Sequence, residues 1–100
     1  MVKHIILWNL KDEFSFEEKT EIKTGIKAGL ESLQGKIEGL IDIKVNTEGL
    51  ASSTADLMLD STFESEAALK FYASHPLHQE VADTKVRPYT KQRSCLDFEV

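Results

Sequence analysis

Apolar residues fill most of residues 2–10, with Val2, Ile5, Ile6, Leu7, Trp8 and Leu10 in one short run. A strand without a polar face is covered on both sides. The chain's own helices can cover one side, and a second copy of the chain is the expected cover for the other. Ser15 and Glu18 then make an S-x-x-E capping box, which opens a helix by satisfying two orphan N–H groups. Ile22, Ile26, Leu30, Leu33 and Ile37 recur behind it at helical spacing, and Gly35 or Gly39 ends the region. Gly25 and Gly29 sit on or beside this stripe, where close backbone packing is their simplest use.

The pattern next changes period. Ile41, Ile43 and Val45 alternate with Asp42, Lys44 and Asn46, which predicts a strand with one wetter face. "TEGLASST" reads as a loop. "ADLMLDSTF" is a third strand with Leu57 and Leu59 on one side and Met58 on the other. Ser65 caps a short helix to about Ser74, with Leu69 and Tyr72 turned inward. Pro76 opens another helix to about Val86, and "RSCLDFEV" is a last strand with Leu96 and Phe98 on a common face. The order β-α-β-β-α-β over residues 1–100 predicts one α+β domain of ferredoxin-like topology. Its four-stranded antiparallel sheet carries helices on one face. The bare face is expected to pack on its twin, giving a homodimer in the form of a dimeric α/β barrel.

Charge narrows the partners. Twelve basic against seventeen acidic residues give a net charge of −5. Nucleic acid and anionic membranes are therefore not expected partners. The first apolar run is too short to span a bilayer and lacks the small-residue cleavage site of a signal peptide. Cys95 is the sole cysteine, so a reducing, cytoplasmic setting is expected, with an inert buried thiol.

The candidate chemistry centres on "FYASHPLHQEV", residues 71–81. Pro76 pushes His75 out of helical angles, so one helix stops near Ser74 and the next starts on a changed axis. His78 falls in the first turn of that helix and shares a face with Val81 and Ala82. The helix N-terminus and burial both favour a neutral imidazole there. Tyr72 lies near the bend. His4 shares a face of the first strand with Ile6 and Trp8. If that face looks toward the helices, His4, Tyr72 and His78 converge on a pocket lined also by Leu57, Leu59, His75 and Arg93.

Each residue has a structural alternative. His78 can be a satisfied structural histidine, Tyr72 a packed core residue, and His75 a capping group. His4, His75 and His78 lack the carboxylate or cysteine spacing of zinc motifs, so neither metal nor cofactor is expected. Arg93 can hold an anionic ligand group or make a surface salt bridge. Asp56, Asp60 and Asp97 read as solvated surface.

The chain resembles the stress-responsive A/B barrel domain (Dabb) family over nearly its whole length. The resemblance is carried by "VKHIILWNLKDE", by "IEGLIDIKVNTE" (with Glu38 where the family often has proline), by "STFESEAALKFYASHPLHQEV" with its H-P-x-H, and by the closing "CLDFEV". It implies a ferredoxin-like domain pairing into a dimeric barrel, most of whose relatives have no assigned activity. One plant branch with a similar motif is a cofactor-free polyketide cyclase. By position its acid–base residues would be Tyr72 and His78, with His4 in the cavity wall. Here the first helix offers Gly25, Ile26 and Gly29 where the cyclase has bulky aromatics, and Leu57 stands where a polar pocket residue could have served. The expected function is that of an uncharacterised Dabb-type dimer with a small-molecule pocket. The alternatives are an aldol-type acid–base enzyme and a non-catalytic structural or partner-binding dimer.

Overall fold

The computed structural model describes residues 1–100. Strand β1 (Val2–Leu10) forms the centre, followed by helix α1 (Phe16–Glu31), strands β2 (Leu40–Asn46) and β3 (Leu57–Phe63), helices α2 (Glu66–Ser74) and α3 (Pro76–Val81), and strand β4 (Thr90–Glu99). A π-helical turn, Ala82–Val86, extends α3. The four strands are antiparallel in the order β2-β3-β1-β4, which is the expected βαββαβ arrangement.

Local chemistry sets the element ends. Ser15 Oγ accepts from the Glu18 N–H at 3.1 Å while Glu18 Oε1 accepts from the Ser15 N–H at 2.9 Å, completing the capping box. Such a cap is worth about 1 kcal/mol. Helix α1 stops at Glu31, earlier than the apolar stripe implies, and the chain goes on through turns that still bury Leu33 and Ile37. Gly39 has φ +86, and a Cβ there would lie 2.5 Å from that of Ala68. It lets the chain enter β2 hard against α2.

Alternation sorts β1 cleanly. Val2, His4, Ile6, Trp8 and Leu10 are buried under the helices. The other side of the strand is less covered, and Leu7 is 41% exposed. Met58 and Leu96 lie opposite Leu7 and Ile5, so this second face of the sheet carries an apolar band. Within it, Lys3 and Asp60 form an ion pair of 2.6 Å.

Strand β2 departs from the simple alternation. Its register shifts between Leu40 and Asp42, so Leu40, Ile43 and Val45 are buried while Ile41 is exposed. A bulge adds one residue and breaks the period-two rule at that point. The core runs from Leu10, Ile26 and Leu30 to Leu59, Phe63 and Tyr72. No helix is long and apolar enough to cross a membrane.

Candidate functional site

A cavity of about 680 Å³ opens between the helices and the β1–β4 half of the sheet. The topology creates it. Strand β4 is an edge strand, and the helices lie chiefly over β2, β3 and β1, so the inward residues of β4 face open space. His4, Ile6, Trp8 and Leu59 supply sheet wall, Tyr72 and His78 helical wall, and Arg93 part of the rim. Leu57 and His75 lie outside this lining. Leu57 is packed in the core, because its end of β3 is covered. His75 turns away to cap α3, its Nδ1 accepting from the Leu77 N–H at 3.1 Å, with its ring edge-on to Phe71.

The bend before Pro76 builds the Tyr72–His78 pair. His75 takes extended angles (φ −67, ψ 135), as a residue before proline prefers, and Pro76 starts the new helix where no N–H is needed. This turns His78 back onto α2, its ring centroid 4.3 Å from that of Tyr72. His78 Nδ1 donates to the Ala73 carbonyl at 3.1 Å. A carbonyl only accepts, so Nδ1 carries the proton and Nε2 holds the lone pair of the neutral ring. Burial is the main cause that lowers the His78 pKa below its ordinary value. The Ala73 bond opposes this, and electrostatic interactions with Arg87, His4 and Arg93 add to it. Gly29 helps to seat the helix, since a Cβ there would come within 3.0 Å of Val81 Cγ1.

Tyr72 is only 1% exposed, and its hydroxyl has no hydrogen-bond partner in the protein. Burial pushes the phenol pKa up, which keeps it protonated as a donor. His4 stands 6.3 Å away, centroid to centroid.

One sequence expectation fails at this wall. Cys95 is not a buried core thiol but an exposed one on the cavity side of β4. Asp97 is solvent-exposed, as expected, and its carboxylate also accepts a hydrogen bond from His4 Nδ1 across the strands. Asp56 is likewise tied down, accepting from the Leu10 N–H at 2.7 Å. The cross-strand register brought these residues together, and no local motif signals it.

Comparison with known proteins settles the lineage. The Stress responsive A/B Barrel Domain (Dabb) family matches residues 2–100. The chain belongs to that family. A dimeric protein of unknown function with a ferredoxin-like fold from Bacteroides fragilis is 32% identical to this Dabb chain, with a TM-score of 0.91, covering 99% of it and 95% of the other. A protein from Arabidopsis thaliana is 25% identical with a TM-score of 0.76, covering 100% of this chain and 95% of that one. A hydroxynitrile lyase from Passiflora edulis shares the fold at 19% identity, with a TM-score of 0.72 over 97% of this chain and 90% of that one. No curated protein sequence matches it. This Dabb chain carries an H-P-x-H bend, His75-Pro76-Leu77-His78, and places a tyrosine against its second histidine.

Proposed function

We propose that this Dabb chain works as a homodimer and binds a small, mainly apolar molecule that bears an acceptor oxygen, such as a carbonyl. One observation carries the ligand reading: Tyr72, whose buried hydroxyl is unpartnered within the protein, is among the residues that line a cavity of about 680 Å³. Leaving a buried hydroxyl unpaired costs about 1–3 kcal/mol, and a bound acceptor oxygen recovers it. The volume falls in the range of small-molecule sites, about 300–1,000 Å³. The apolar band on the far face of the sheet supports the dimer, and the Bacteroides fragilis relative is itself dimeric.

A second reading is acid–base catalysis, favoured by the state of His78. Its Nε2 is an acceptor in a neutral ring beside a phenol that stays protonated. Nε2 would take a proton from a carbon next to the ligand carbonyl, and Tyr72 would donate to the oxygen as enolate charge develops.

The test is a thermal-shift screen of small carbonyl compounds against the native protein, Tyr72→Phe and His78→Gln. A hit that stabilises the native protein and loses its effect in Tyr72→Phe supports the ligand reading. Turnover of that hit, lost in His78→Gln while binding persists, supports catalysis. Hits that bind Tyr72→Phe equally well defeat both.

A further inference from the structure

The sheet wall of the cavity holds a second cluster that needs neither Tyr72 nor His78. His4 on β1 and Cys95 and Asp97 on β4 each offer one ligand atom, all within 4.8 Å of one another. The register explains the gathering. His4 pairs with Asp97 and Ile6 with Cys95, so Cys95 and Asp97 sit two apart on one face, with His4 directly across. In a strand, residues two apart always share a face.

We propose that His4, Cys95 and Asp97 form a binding site for a divalent transition metal of the zinc type, open to the cavity. The donor set is an imidazole nitrogen, a thiolate and a carboxylate oxygen. The sulfur disfavours magnesium and calcium and suits zinc. The two spacings to sulfur fit as well, and His4 Nδ1 and Asp97 Oδ1, which are in hydrogen-bond contact, must part to admit the ion. Zinc–ligand bonds of about 2.0–2.3 Å at tetrahedral angles place sulfur roughly 3.5 Å from its nitrogen and oxygen neighbours. Cys95 Sγ lies 3.8 Å from His4 Nδ1 and 3.4 Å from Asp97 Oδ1. On binding, the metal replaces the His4–Asp97 hydrogen bond; the Cys95 thiol releases its proton to water, and the His4 proton moves to Nε2, so that the neutral ring offers the Nδ1 lone pair.

The platform is rigid where it needs to be. β1 lies between β3 and β4, His4 is buried, and its backbone carbonyl accepts from Ser61 Oγ at 2.8 Å. Three protein ligands leave a fourth position on the cavity side. Catalytic zinc sites keep such an opening, whereas structural ones close it.

The experiment uses the untagged full chain and the metal alone, so its outcome does not depend on finding the organic ligand. Zn²⁺ binding is followed by titration calorimetry, and Co²⁺ is the optical probe. The expected result is one ion per chain and a thiolate-to-cobalt charge-transfer band. Cys95→Ser should abolish the band. Cys95→Ser and Asp97→Asn should each weaken Zn²⁺ binding by at least about 10-fold, the lower bound for losing even an outer-shell partner. His78→Gln should change neither reading. Both replaced ligands are exposed, so their variants keep the fold, which circular dichroism verifies. Absence of the band in the native protein, or unchanged Zn²⁺ affinity in Cys95→Ser, overturns the proposal.

Discussion

Replacing Tyr72 with phenylalanine removes one oxygen from the core and tests the ligand reading without any ligand. In the native protein that hydroxyl is buried with no protein partner. The surrounding contacts are apolar or aromatic: Phe63 lies 4.9 Å away and His78 4.3 Å away, ring centroid to ring centroid. Phenylalanine keeps both ring contacts and removes the unpaired group. The relief is the desolvation penalty of a buried hydroxyl, about 1–3 kcal/mol. Taking the low end and a domain of about 100 residues, the melting temperature should rise by roughly 4–8 °C. The assay is paired thermal and urea denaturation of native protein and variant at equal concentration, because a dimer's stability depends on concentration. Meanwhile any carbonyl ligand should bind the variant less tightly, so stability and binding should move in opposite directions. A variant less stable by about 1 kcal/mol or more would show that the hydroxyl is already satisfied in the native state. The cavity would then hold no unpaired donor for a ligand oxygen.

Other consequences are equally direct. The unfolded chain protonates His78 near pH 6.5, the folded chain only at lower pH, because burial disfavours the charged ring. The stability that this neutral histidine contributes is therefore fully present above about pH 6.5 and lost as pH falls through the folded value. The gap between native protein and His78→Gln in urea denaturation should narrow from pH 7.5 to pH 5, and a gap that widens refutes the assignment. Gly25→Ala should stabilise α1 by about 1 kcal/mol, since a Cβ there meets nothing within 4 Å. Gly29→Ala should gain distinctly less, its Cβ being 3.0 Å from Val81 Cγ1; equal gains in denaturation midpoint would mean that α3 is not seated on Gly29. Leu7→Lys, on the apolar outer face, should convert a dimer into a monomer in sedimentation velocity, and a native protein that is monomeric at micromolar concentration removes the dimer reading.

The elements and their order were legible because they rest on local rules. The Ser15–Glu18 cap, the alternation in β1 and β3 and the Pro76 bend all act between residues a few positions apart. The pairing of Tyr72 with His78 belongs to the same class, since six residues and one proline dictate the fold-back. Where the sequence misled, distant parts of the chain made the decision. The bulge at Leu40–Asp42 turned Ile41 out of the core, and the covered end of β3 took Leu57 away from the cavity. His4 and Asp97 are 93 positions apart, and only antiparallel pairing of the first and last strands sets them side by side with Cys95. Hydrophobic period and capping chemistry are written along the chain, whereas register between strands is a property of the whole sheet. The bend was therefore readable, and the His4–Cys95–Asp97 wall emerged only once the sheet had formed.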